Sequence, residues 1–148
     1  MKIDIILPYK EIFSLKKASA VSLTIKNSVE FSEFKKNISV FGQKTECSFE
    51  GINFTGFKSN KFLHFGNNNS MLINYLKNTK NIKEKKIIEI HNRPYVFNLA
   101  IKNNKNYPIT LHYHNDPRNM RGSKTVRERL YIAKNAAASS TAKVTKLL

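Results

Sequence analysis

Short apolar runs of strand length alternate along this chain with segments in which apolar residues recur every three or four positions. Ile3-Asp4-Ile5-Ile6-Leu7, closed by Pro8, reads as a buried strand. Ile38-Ser39-Val40-Phe41 reads as a second, closed by Gly42. Lys86-Ile87-Ile88-Glu89-Ile90-His91 and Ile109-Thr110-Leu111-His112-Tyr113-His114 read as two more, the last with Pro108 at its mouth. Between them the period changes. Leu15, Ala18, Val21 and Ile25 make one helical face over about 14–28, and Leu72, Ile73 and Leu76 another over about 70–77, with Asn69 or Ser70 as N-cap. Pro94 opens a third helix with Val96, Ala100 and Ile101 on its apolar side, and 103–106 is a turn. Thr125-x-x-Glu128 is a capping box opening a fourth helix to about 134.

This alternation predicts an α/β fold, a parallel sheet with helices on both faces. Ligands of such sheets lie beyond the carboxyl ends of the strands. That rule selects 8–14, 41–44, 91–94 and 114–125.

The length of 148 residues suits one domain with a real core, and 41% hydrophobic with 24% charged residues is a globular composition. The single cysteine, Cys47, excludes a disulfide framework and a cysteine-based zinc site, and fits a reducing compartment. No apolar run approaches the roughly 18 residues of a membrane span. The first residues are not a signal peptide, because the apolar stretch is short, carries Asp4 and leads to no small-residue cleavage site. The expectation is a soluble, cytoplasmic chain. Its formal net charge of +16 has two readings. An anionic partner, nucleic acid or membrane surface, is one. The other is codon composition: the basic residues are 21 Lys against 5 Arg, beside 18 Asn and 15 Ile, all but Arg being A/T-rich in their codons. The lysines are spread along the chain, and anion recognition prefers the arginine fork, so composition is the favoured reading.

Residues 136–148, opening Ala136-Ala137-Ala138-Ser139-Ser140-Thr141-Ala142-Lys143, lack the Asn and Ile of the rest. They read as a tail of different coding origin, foreign to the domain or disordered, with 1–135 as the domain.

Four histidines are candidates for chemistry: His64, His91, His112 and His114. His112 and His114, two apart on a strand, share a face, but no further ligands complete a metal set and none is expected. His91 closes a strand beside a helix start, where an imidazole can hydrogen-bond a hydroxyl or stand near an anion. Arg121-Gly122-Ser123-Lys124-Thr125 lacks the first glycine of a phosphate loop, and what survives is a basic helix start. No dinucleotide fingerprint follows the first strand, and no nucleophile elbow is present.

Taken in order, these segments resemble a family. Leu7-Pro8-Tyr9-Lys10-Glu11-Ile12-Phe13-Ser14 with Ala20-Val21-Ser22, Ile88-Glu89-Ile90-His91-Asn92-Arg93-Pro94, Leu111-His112-Tyr113-His114-Asn115-Asp116-Pro117 and Met120-Arg121-Gly122-Ser123-Lys124-Thr125 are similar to segments of bacterial group-one (family-four) retaining glycosyltransferases of lipopolysaccharide-core and surface-polysaccharide synthesis. The resemblance spans roughly 1–135. It implies the Rossmann-like N-terminal, acceptor-side domain of a GT-B enzyme, with a nucleotide-sugar as donor, a glycolipid or polysaccharide acceptor, no cofactor or metal, and peripheral contact with the inner membrane face. It implies His91 against the donor sugar at the transferring centre. Lys10, Glu11, Asn92, Arg93, His114, Asn115, Arg121, Ser123 and Lys124 would line the substrate cleft. Two departures stand out: Lys17-Ala18-Ser19-Ala20 replaces the family's glycines, and the donor domain that normally follows has no counterpart in these residues, so the chain alone is expected not to turn over. Two other readings are a small basic module for RNA or anionic membrane, and a half-enzyme pairing with a donor domain on another chain. Nucleic acid is not expected under the leading one, because Phe and Tyr alternate with core residues instead of sharing a basic face.

Overall fold

The computed structural model describes residues 1–60, 62, 65–82, 84–104, 107–138 and 142–146. His64 and part of the turn expected at 103–106 lie outside them. The elements in order are β1 (Lys2–Ile6), α1 (Ala20–Glu30), β2 (Ile38–Gln43), β3 (Asn53–Phe57), α2 (Asn67–Thr79), β4 (Lys86–His91), α3 (Pro94–Asn103), β5 (Ile109–Tyr113), α4 (Val126–Ala138) and β6 (Ala142–Lys146). One six-stranded sheet has the order β3-β2-β1-β4-β5-β6, every pairing parallel. The fold is α/β and Rossmann-like. Strand order reverses beside β1, so the ends of β1 and β4 flank the crevice of a doubly wound sheet.

The alternation of side chains along each strand divides the core in two. Ile6, Ile88, Ile90, Ile109, Leu111 and Tyr113 pack on one face with Met71, Leu72 and Tyr75 of α2, Val96, Phe97 and Ala100 of α3, and Ile132 of α4. On the other face Ile5, Leu7, Ile38 and Val40 pack with Val21, Ile25 and Val29 of α1. Phe13 closes that side, edge-on to Phe49 at 4.8 Å and stacked on Phe54 at 5.2 Å. Helices thus cover both faces.

Four boundaries differ from the sequence reading, each for a local reason. Helix α1 begins at Ala20, not near 14, because Ser19 caps it: its Oγ accepts from the Ser22 amide at 3.2 Å. Leu15, which continued the helical period, is exposed. Helix α2 begins at Asn67 with Gly66 at its N-cap, so Asn69 and Ser70 lie inside it. Strand β2 runs through Gly42, which pairs with Gly56 of β3. Strand β3 itself was not expected. It is a sheet edge with alternate residues exposed, and Gly56 stands where a Cβ would come within 2.8 Å of the Lys44 backbone. At the other end, α4 runs past 135 to Ala138, and the backbone of Ala142–Lys146 pairs with β5 as β6. A sixth parallel strand has formed where an unstructured tail was one expectation.

The capping box of α4 is formed in both directions. Thr125 N–H donates to Glu128 Oε2 at 2.9 Å, and the Glu128 amide donates to Thr125 Oγ1 at 3.1 Å. Thr125→Ala should cost about 1 kcal/mol and speed amide exchange in the first turn of α4 before it changes exchange in the sheet. Hydrogen exchange followed by NMR reads this directly. Uniform acceleration across the domain would contradict it.

Candidate functional site at the carboxyl edge of the sheet

The loop after β1, the start of α2, the turn between β4 and α3, and the loop after β5 meet above the strand ends. They enclose a cleft of about 630 Å³. Tyr9 and Lys10 come from the first loop, Gly66 to Asn69 from the start of α2, Asn92, Arg93 and Tyr95 from the β4–α3 turn, and Asn115, Asn119 and Arg121 from the last loop. The wall is tied together by carboxamides. Asn68 Oδ1 accepts from the Tyr9 amide at 2.8 Å, joining the end of β1 to α2. Asn92 Oδ1 accepts from the His114 amide at 2.8 Å, joining the ends of β4 and β5. Asn92 holds φ 52°, a left-handed conformation that asparagine tolerates better than most residues, and this turns the chain sharply into α3.

The electrostatics are one-sided. Lys10, Arg93 and Arg121 line the cleft, and no carboxylate does among the described residues. The N-termini of α2 and α3 open on it, each adding partial positive charge and unpaired N–H groups. Arg93 is half-buried and donates to the Asn92 carbonyl at 2.7 Å. Burial lowers its pKa while the nearby Glu11 charge opposes that fall. Arg121 lies over the Tyr95 ring, 5.3 Å from its centroid. Gly122 holds φ +90°, a conformation that side chains rarely adopt, and a Cβ there would crowd the Tyr95 amide nitrogen at 3.1 Å. Such a cleft suits an anionic, oxygen-rich ligand.

Lys10, Asn92, Arg93, Asn115 and Arg121 are therefore brought together as the sequence suggested. Glu11 is not in the cleft wall; its carboxylate takes a hydrogen bond from Ser19 Oγ. Lys124 is exposed outside the cleft. Ser123 is fully buried, its hydroxyl donating to the Pro117 carbonyl at 2.5 Å, so it closes the 117–123 loop and faces no ligand. His91 and His114 do not line the cleft either. Strand alternation places the His91 ring on the sheet face opposite Ile88 and Ile90, together with Glu89. There His91 is sandwiched between His112 and His114, ring centroids 4.9 and 5.0 Å away. His91 Nδ1 and His114 Nε2 are 2.7 Å apart, so one of the two carries the shared proton. His91 Nε2 has no hydrogen-bond partner; Glu89 at 3.7 Å is an electrostatic neighbour only. Burial, then the charges of His91 and His112, press the His114 pKa down to about 4. His112 is lowered by burial and His91, against the pull of Glu89. For Glu89 burial works upward, but its contacts with His91 and His112 hold the carboxylate below its ordinary value. The expectation of His91 at an open reacting centre thus meets a buried, 4% exposed ring. Among the described residues no three His, Cys, Asp or Glu side chains are grouped to hold a metal ion.

Tyr9 and Asn119 join the cleft from the selected segments 8–14 and 114–125, and Asn67, Asn68, Asn69 and Tyr95 join it from outside them. The Gly66-Asn67-Asn68-Asn69 run carries a usable signal, a glycine followed by side chains that cap and turn. No family model, curated protein or solved structure matches the chain. No helix among the described residues is long and apolar enough to cross a membrane.

Proposed function

We propose that this chain is the acceptor-side, N-terminal half of a GT-B retaining glycosyltransferase, moving a sugar from a nucleotide-sugar to a lipopolysaccharide or polysaccharide acceptor. One observation carries the reading. The carboxyl-edge cleft combines three cations and two helix N-termini with carboxamides and aromatic rings, and no carboxylate lines it among the described residues. Phosphate and sugar hydroxyls are recognised by that chemistry: arginine and helix N-termini for the anion, asparagine for hydroxyls, tyrosine faces for the sugar ring. The order of the sheet and the sequence motifs support the same reading. In this role Arg93 and Arg121 hold phosphate, while Asn92 and Asn115 orient hydroxyls. His91 acts through Asn92 and His114, as a positioning residue behind the wall. The donor domain supplies the groups that stabilise the leaving diphosphate.

The test is calorimetric titration of the purified chain with glucose 6-phosphate, glucose 1-phosphate and glucose. The phosphorylated sugars should bind, glucose alone at least tenfold more weakly, and Arg93→Ala or Arg121→Ala should each weaken binding by about tenfold, or 1.4 kcal/mol. No binding of any phosphorylated sugar, or binding untouched by both substitutions, defeats the proposal. Submicromolar binding of an RNA oligonucleotide with steep salt dependence would favour the basic-module reading instead.

A further inference from the structure

A second cavity, of about 550 Å³, opens at the opposite edge of the sheet. It lies between α2 and α3, and Thr79, Asn103 and Lys86 place it where those helices end and β4 begins. Leu72, Ile73, Leu76, Ile88 and Leu99 form its apolar walls. The aromatic rings of Tyr75 and Tyr107 stand over a buried cation: Lys86 Nζ lies 5.1 and 4.9 Å from their centroids. Both hydroxyls point elsewhere, Tyr75 to Asp4 at 2.6 Å and Tyr107 to the Ile82 carbonyl at 2.9 Å, so their ring surfaces are what the cavity receives. Size and lining are those of a small-molecule site.

The charge at the cavity selects the ligand. Lys86 is neutralised by Asp4, 3.2 Å away. Lys77 and Lys80 stand exposed at the mouth, and no carboxylate lines it among the described residues. The carboxyl ends of α2 and α3 each contribute about half a negative charge, which offsets one lysine and leaves a net positive mouth. An apolar pocket with a cationic mouth fits an amphiphile whose hydrocarbon chain enters and whose acid group stays outside. We infer that this cavity binds a medium-chain carboxylate, the chain between α2 and α3 and the carboxylate against Lys77 and Lys80. The site is separate from the carboxyl-edge cleft and independent of its function.

The inference is tested with methyl-labelled protein titrated with sodium dodecanoate below its micelle concentration. Saturable shifts are expected at Leu72, Ile73, Leu76, Ile88 and Leu99, with Ile5 and Val40 on the opposite face unmoved. Dodecanoate should bind about tenfold more tightly than dodecanol, and dodecyltrimethylammonium more weakly than either. Leu76→Trp, filling the cavity, should abolish binding. Lys80→Glu, a surface change that leaves the core intact, should weaken dodecanoate severalfold and leave dodecanol unchanged. The inference is overturned if no methyl shifts saturate, if shifts spread over both faces, if the cationic head binds as well as the carboxylate, or if Lys80→Glu leaves dodecanoate binding unchanged.

Discussion

Asp4→Ala should lower the unfolding free energy by about 3–5 kcal/mol, a large share of what a domain of this size has in total. Strand alternation puts Asp4 on the same face of β1 as Ile6, the face that carries the larger apolar cluster. It is 5% exposed. Its Oδ2 accepts the Tyr75 hydroxyl at 2.6 Å and lies 3.2 Å from Lys86 Nζ, itself 4% exposed. The phenol is correspondingly hard to ionise: burial raises its pKa, and the hydrogen bond to Asp4 raises it further. Removing the carboxylate leaves a buried ammonium beside the two tyrosine rings without its countercharge, and leaves a buried hydroxyl without its acceptor. The cost comes from those orphaned groups more than from the lost attraction. The pair replaced together, Asp4→Leu with Lys86→Met, should therefore recover most of the loss. Urea denaturation of the two variants at pH 7 separates these outcomes. A single-variant cost below about 1 kcal/mol would mean that the pair is hydrated and the account is wrong.

Nothing local in the sequence announces that pair. Asp4 reads as a polar interruption in an apolar run, and its partners lie on β4 and α2. What was legible is what local chemistry specifies. β1, β4 and β5 are apolar runs with clear stops, Pro94 pre-sets the first turn of α3, and Thr125 with Glu128 closes a reciprocal cap. β3 was not legible, because an edge strand with alternate residues exposed and a glycine at its tightest point resembles a loop. The start of α1 was misplaced because Leu15 and Ala18 extend a helical period that Ser19 then interrupts.

The cleft divides the same way. That Lys10, Asn92, Arg93, Asn115 and Arg121 converge follows from the strand-end rule, which needs only the order of elements. Which neighbours turn inward does not follow. Ser123 is two residues from Arg121 yet fully buried, and His91 is adjacent to Asn92 yet faces the other side of the sheet. Tyr9 and Asn68 meet across 59 residues of chain, a contact that no local pattern encodes.

Stability should also fall as pH drops from 7 to 4.5, and the histidine stack is the cause. An unfolded histidine titrates near 6.5. In the fold His114 titrates at about 4, and His112 is lowered as well, so between those limits the unfolded chain binds more protons than the folded one. Folding stability is then fully present above about pH 7 and declines through the window below it. Glu89 from β4 and Thr110 from β5 face the stack, and among the described residues Glu89 is the countercharge paired with it. It lies 3.7 and 4.0 Å from its two imidazoles, beyond hydrogen-bond distance, and it cannot hold three rings charged at once. His114 is partly exposed, so solvent screening reduces its share to about 1–2 kcal/mol across the window. Urea midpoints at pH 7.5, 6.0 and 4.5 measure the slope. His114→Asn should flatten it, and a midpoint that holds or rises toward pH 4.5 in the parent chain would refute the mechanism. The consequence reaches the cleft, because the His114 amide is held by the Asn92 carboxamide. Protonation that pushes His114 away from His91 loosens the turn that presents Asn92 and Arg93. Phosphorylated-sugar binding should therefore weaken over the same pH range, before the domain as a whole unfolds.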